Sequence, residues 1–202
     1  MYKDLIEARI RELDSTAGFA LTRTEIRDPV PRGVLDTALR SAGGHLPAGA
    51  AEFYEELNGF TLQWTYTAPG ACDATGDEGS IRLLPLDEVF SDWQGAIWFD
   101  DFEGGDRFRA VKPFDLYIPE ACAAFLQEPG EPAQDTVHYH YIGESLSPLP
   151  LSFPEYLAQA LNTAGYLGWQ SALTPRQGAP IPVVDRMREI VPGFVDRLYT
   201  AQ

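Results

Sequence analysis

The sequence predicts an α+β fold, a central, mostly antiparallel, twisted sheet of about six strands flanked by N- and C-terminal helices. Two observations lead there. Apolar residues recur at helical spacing at both ends of the chain, whereas the middle holds short aromatic and β-branched runs between Gly- and Pro-rich connectors. Those runs do not alternate with helices, as a doubly wound parallel sheet would require. With 202 residues, 45% hydrophobic and 12% aromatic, the chain can bury a substantial core, and one domain is expected over residues 1–202.

Leu5, Ile6, Ile10 and Leu13 share one face of a first helix over residues 2–14, stopped by Ser15-Thr16 and Gly18. Residues 16–33 read as a connector with one short strand at Phe19–Leu21. Val34, Leu35, Ala38 and Leu39 make a second helix, ended by Gly43-Gly44. Leu46-Pro47 opens a third, with Ala50, Phe53, Tyr54 and Leu57 at helical spacing. Asn58-Gly59 closes it, since both residues tolerate the left-handed conformation that ends a helix. Strands are then expected at Phe60–Thr67, Ser80–Leu84, Ile97–Phe99, Phe108–Val111, Leu116–Ile118 and Val137–Ile142. Phe153–Leu161 should be a helix packed back on the sheet, its apolar face continued by Tyr166 to Trp169. Residues 175–182 read as a linker, with two prolines and a glycine. Val183, Met187, Ile190, Val191, Phe194 and Leu198 then predict a docked terminal helix, kinked or restarted at Pro192.

The order Leu-Pro helix, Asn-Gly stop, aromatic strand and I-R-L-L-P-L-D-E-V (Ile81 to Val89) resembles the SUKH superfamily, which includes the fungal Smi/Knr cell-wall regulators and many bacterial immunity proteins. Two further stretches carry the likeness. Trp98 to Phe108 is similar to that family's hairpin, in which a Gly-Gly-Asp turn (Gly104, Gly105, Asp106) joins two strands. Ser152-Phe153 with Tyr156-Leu157 is similar to its terminal helix. The resemblance places a core motif at about 46–165, with helical extensions at 1–42 and 175–202. It implies a binding protein and assigns no catalytic residue.

Charge is the other informative feature. Thirty acids against fifteen bases give a formal net charge of −15. Residues 1–51 and 151–202 are each balanced, whereas residues 52–150 hold nineteen acids and four bases (Arg82, Arg107, Arg109, Lys112). Such a field repels nucleic acid and anionic lipid, and it speeds encounter with a basic protein. It also keeps a protein soluble, whatever its partner. No apolar run is long enough to span a membrane, and the N-terminus lacks the apolar block of a signal peptide. A cytoplasmic location is therefore expected. With only Cys72 and Cys122 there is no disulfide framework; two reduced thiols are the simpler reading, and a single bridge stays open.

The constellations with chemical potential point away from catalysis. Asp100, Asp101, Glu103 and Asp106 form an acidic turn whose spacing does not match a calcium-binding loop, and adjacent glycines suit a tight turn with carboxylates facing water. Asp73, Asp77 and Glu78 form a similar loop that could share its rim. His138 and His140 lie at i and i+2 on one strand face, a spacing some metal sites use, without an accompanying Cys or carboxylate pattern. Gly143-Glu144-Ser145-Leu146-Ser147 is not a nucleophile elbow, and no phosphate-binding loop or paired-histidine zinc motif occurs. No cofactor, metal or enzymatic activity is expected. The leading expectation, taken from the resemblance and the localised charge, is an immunity protein. It would occlude a cognate toxin, possibly a nuclease, by setting an acidic surface against a basic cleft. Its candidate contacts are Asp73, Asp77, Glu78, Asp100, Asp101, Glu103 and Asp106. The alternative is a non-catalytic regulatory or scaffolding module.

Overall fold

The computed structural model describes residues 1–70, 76–101, 103–174 and 182–198. Helix α1 (Tyr2–Ser15) leads into β1 (Phe19–Ile26), α2 (Arg32–Ser41) and α3 (Ala50–Glu56). Strands β2 (Phe60–Tyr66) and β3 (Asp77–Leu83) follow, then the one-turn α4 (Leu86–Val89) and a 3₁₀ turn at Gly105–Phe108. The rest of the sheet is β4 (Val111–Ile118), β5 (Ala121–Leu126), β6 (His138–Tyr141) and β7 (Ser145–Pro148). Helices α5 (Phe153–Asn162) and α6 (Pro182–Ile190) close the order. The fold is α+β, with seven described strands arranged in chain order, every neighbouring pair antiparallel. Such a meander needs only short connections, which the Gly- and Pro-rich segments supply.

The sequence reading differs from this sheet in specific places. The strand begun at Phe19 runs five residues further, to Ile26, because its partner β2 is equally long. Of the expected strand Phe108–Val111 only Val111 falls in β4, with Phe108 in the 3₁₀ turn, whereas Leu116–Ile118 is the end of β4. Two strands were missed: β5, whose Ala-Cys-Ala-Ala core lacks β-branched residues, and the four-residue β7. Ile97–Phe99 is not a strand, and Gln94 and Trp98 share only an isolated bridge. The hairpin expected across Gly104-Gly105-Asp106 is replaced by the 3₁₀ turn, so Trp98 to Phe108 is an irregular excursion. The linker at residues 175–182 and the tail beyond Leu198 fall largely outside the described residues. Helix α6 ends at Ile190, ahead of Pro192.

The main core lies between the sheet and a layer of helices. Phe53 and Tyr54 of α3, Phe114 of β4, Phe125 of β5, and Phe153 and Tyr156 of α5 are all fully buried. Their rings meet edge-on at 5.0–5.5 Å for Phe53–Tyr54, Phe53–Phe153, Phe114–Phe153 and Phe114–Tyr156. Helix α5 starts at Ser152, where the Ser152 amide and hydroxyl both donate to Glu155 at 2.8 and 2.7 Å. Gly59 holds φ +87°, and a Cβ there would meet the Leu83 carbonyl at 2.4 Å, so the Asn-Gly stop also allows β2 to turn close beneath β3.

Alternation along β5 divides the two faces. Ala123 and Phe125 join the helix-side core, whereas Cys122 and Ala124 face a second, smaller cluster with Ile97, Trp98, Phe108 and Val111. Ile97, Trp98 and Phe108 of the connection between β3 and β4, residues 84–110, therefore lie on the side of the sheet opposite α5, whereas Leu84, Leu86, Val89 and Phe90 at its start join the helix-side core. Cys122 is buried with a free thiol, while Cys72 lies outside the described residues. Burial pushes the Cys122 thiol well above its usual range, so it serves as a small apolar filler.

Candidate partner-binding surface

The β3–β4 connection is irregular, yet its backbone is tied at many points. Trp93 Nε1 donates to the Val89 carbonyl at 3.2 Å, and Ile97 N donates to the Trp93 carbonyl at 2.9 Å. Asp92 accepts from both Trp98 Nε1 and Gln94 N at 3.1 Å. Phe99 N donates to the Gly105 carbonyl at 2.8 Å, closing the acidic turn. Trp98 and Phe108, both buried, anchor the excursion onto β5 and β6.

Three of the four bases in the acidic middle of the chain are engaged by this connection. The Arg109 guanidinium lies 4.2 Å from the Trp98 ring centre, and Arg107 lies 4.4 Å from that of Phe108. Arg107 Nη2 also donates to the Gly143 carbonyl at 2.6 Å. Lys112 Nζ donates to the Ser91 carbonyl at 3.0 Å, and burial lowers its pKa. Asp100, Asp101, Glu103 and Asp106 remain exposed. Asp100 accepts from Gln94 Nε2 at 2.8 Å, which fixes one end of the turn. The cations brace the scaffold, Arg107 and Arg109 from exposed positions, and the four carboxylates beside them face solvent. Beside them Phe90, Asp92, Trp98, Arg109, Lys112 and Glu128 line a hollow of about 340 Å³.

Asp77 and Glu78 of the second acidic set differ in exposure. Glu78 is exposed on β3, but Asp77 is buried, with 8% of its surface accessible. Arg186 of α6 donates to Asp77 from Nη2 at 2.6 Å and from Nε at 3.1 Å, and Tyr166 donates its hydroxyl at 2.6 Å. Asp77 is thus a tether for the C-terminal helix, and it leaves the set of solvent-facing carboxylates proposed from the sequence. Desolvation first, then the bond to Asp77, drives the Tyr166 phenol well above its usual range. Asp73 lies outside the described residues. No spacing in the sequence signals an Asp77–Arg186 pair, because its members are 109 residues apart.

His138 and His140 do share one strand face, as their spacing requires, and both are buried beneath the same connection. Nδ1 of His140 donates to the Ser145 carbonyl at 2.8 Å, and its ring packs 4.4 Å from Phe108. His138 Nδ1 donates to the Thr136 carbonyl at 3.1 Å. Burial lowers the pKa of both rings, which favours neutral imidazoles packed in an apolar cluster. Among the described residues no group of three or more His, Cys, Asp or Glu is placed to hold a metal ion. No helix among them is long and apolar enough to cross a membrane.

A groove of about 690 Å³ lies in the helix layer between α1 and α5 and is lined by Leu5, Ala8, Arg9, Leu161 and Asn162 among others. Within it Arg9 donates to the Pro192 and Asn162 carbonyls at 2.7 and 3.1 Å. Those bonds tie α1 to the C-terminal segment. No protein-family model matches the chain, and no curated protein matches its sequence.

Proposed function

We propose that this protein is a cytoplasmic immunity (antitoxin) protein of SUKH type that binds and blocks a cognate, basic protein toxin. The observation that carries the reading is the β3–β4 connection. It presents Asp100, Asp101, Glu103 and Asp106 to solvent on a scaffold whose own cations lie over the Trp98 and Phe108 rings or bond nearby carbonyls. Carboxylates held this way steer a basic surface into contact and set the rim of an interface. The hollow beside Trp98 offers a place for an anchoring side chain from the partner. The order of the Leu-Pro helix, Asn-Gly stop, aromatic strand and Ser-Phe helix supports the family reading. Inhibition would be steric, with the acidic connection covering a positively charged active-site cleft such as that of a nuclease.

Affinity capture from the source cells, followed by expression of the captured protein alone and together with this chain, tests the reading. One stoichiometric basic partner, lethal alone and silenced by co-expression, is the expected result. Several weakly held housekeeping proteins, none of them toxic, would replace immunity with a scaffolding role.

A further inference from the structure

The seam between β3 and β4 is unlike the rest of the sheet. Among the described residues the two strands share a single register pair, Leu83 with Asp115, whereas β2 and β3 pair along seven residues. Pro113 has no amide hydrogen to offer, and β4 is irregular, with register shifts against β5 at Pro113/Asp115 and Asp115/Ile118. Leu84 N donates to the Phe114 carbonyl at 2.8 Å, but from Leu83 back toward Ser80 side chains replace the ladder. Arg82 N donates to Asp115 Oδ1 at 2.8 Å, where a backbone carbonyl would ordinarily accept. Ser80 Oγ donates to the Tyr117 carbonyl at 2.8 Å. The gap is filled from the helix layer, where Ser80 N donates to Gly165 O at 2.8 Å and Leu167 N to Glu78 O at 3.1 Å.

Asp115 is completely buried in this seam. Its second oxygen accepts from the Tyr156 hydroxyl at 2.7 Å, and that hydroxyl accepts from Gln170 Nε2 at 3.1 Å. The chain of donors runs one way, from amide to phenol to carboxylate. It ends badly at Gln170, whose Oε1 is buried with no hydrogen-bond partner. A buried carbonyl without a partner is costly, and one proton on Asp115 would give Oε1 a donor while moving Nε2 to the place Oε1 leaves.

We infer that Asp115, Tyr156 and Gln170 form a proton-operated latch across the β3–β4 seam. One proton taken from solvent onto Oδ2 turns the carboxyl into a donor to the Tyr156 oxygen. The phenol proton then swings to Gln170, whose side-chain amide rotates to present Oε1 as the acceptor. No bond other than the new O–H forms, and the direction of the chain reverses. Oδ1 keeps the Arg82 amide in both states, so the seam stays closed while its polarity changes.

The surroundings leave Asp115 as the group that titrates. Tyr54 of α3, Tyr117 of β4, Tyr156 of α5 and Cys122 of β5 all face it electrostatically, and burial pushes each of them above its usual range. They stay protonated from acid to neutral pH. Arg82, exposed on β3, contributes a weak pull toward the anion. Burial outweighs that pull and both hydrogen bonds, and lifts the Asp115 carboxyl to about 6. A carboxyl raised above its unfolded value binds its proton more tightly in the folded chain. The resulting stability is fully present below about pH 4 and is lost as pH rises through about 6. A shift of about two pH units corresponds to roughly a hundredfold in the folding equilibrium.

The latch is tested on the full chain by following aspartate ¹³C-carboxyl, Arg82 amide and Gln170 side-chain amide signals from pH 4 to 8. Asp115→Asn assigns the carboxyl signal. The expected result is an Asp115 midpoint near pH 6, with the Gln170 amide moving at that same midpoint. Tyr156→Phe should raise the carboxyl midpoint, because the lost bond favours the anion, and should leave the Gln170 amide insensitive to it. If Asp115→Asn does not fold, the wild-type titration and Tyr156→Phe carry the test. A carboxyl midpoint below about 4.5, or a Gln170 amide that ignores the Asp115 titration, overturns the latch.

Discussion

The two sides of the sheet are built on different principles. On the helix side, six aromatic side chains from α3, β4, β5 and α5 interlock with no solvent between them. On the other side, a much smaller cluster of Ile97, Trp98, Phe108, Val111, Cys122 and Ala124 holds down the later, irregular part of the β3–β4 connection. That side compensates for scant apolar area with ring–guanidinium contacts and side-chain bonds to carbonyls. The difference separates stability from recognition. The helix side is rich in packing, and the connection is acidic and held by a few specific ties. A surface of that second kind can change its outward residues without disturbing the core beneath.

Substitutions on the two sides should therefore differ in size and in readout. Phe153→Ala empties a site lined by Phe53, Tyr54, Phe114 and Phe125 and should cost about 3–5 kcal/mol in denaturant unfolding. A cost below about 1 kcal/mol would mean that the aromatic layer is not the main core. Arg186→Ala strands the buried Asp77 carboxylate and should cost about 2 kcal/mol. Asp77→Asn in the same background should recover part of that loss, which separates a stranded charge from lost packing. Arg109→Ala removes the cation over Trp98 and should cost only about 0.5–1 kcal/mol, read equally well as quenching changes in tryptophan fluorescence. Reversing Asp100, Asp101, Glu103 and Asp106 together to Lys should change unfolding stability by less than about 0.5 kcal/mol per residue, since all four face solvent.

The same contrast governs what could be read from the chain. Helical spacing located α1, α2, α3 and α5, although Leu5 of α1 and Leu39 of α2 are exposed where an apolar face was expected, and α3 ends in extended backbone at Leu57, with the left-handed turn following at Gly59. Strands β2 and β3 were legible from their aromatic and β-branched residues. Strand β5 was not, since its alanines pack between two layers and show neither alternation nor β-branching. The acidic connection was recognised as polar and turn-rich, but its 3₁₀ turn depends on Trp98 and Phe108 docking on β5 and β6, a tertiary effect that local pattern does not encode. Asp77 was grouped with the surface acids because its partner lies 109 residues away. Asp115 gave no signal at all, for the same reason: Arg82, Tyr156 and Gln170 reach it from three separate segments.

The most direct test of the proposed interface compares association rates of the captured partner with two variants across a range of salt. One carries the four reversals at Asp100, Asp101, Glu103 and Asp106, and the other carries Glu7→Lys and Asp14→Lys on α1, where Asp14 is exposed and Glu7 half-buried. The account predicts that the first variant associates at least tenfold more slowly at low salt, with a flattened salt dependence, and that the second matches the wild type. Unchanged association in the first variant, with slowing in the second, would place recognition on the helix layer and contradict the account.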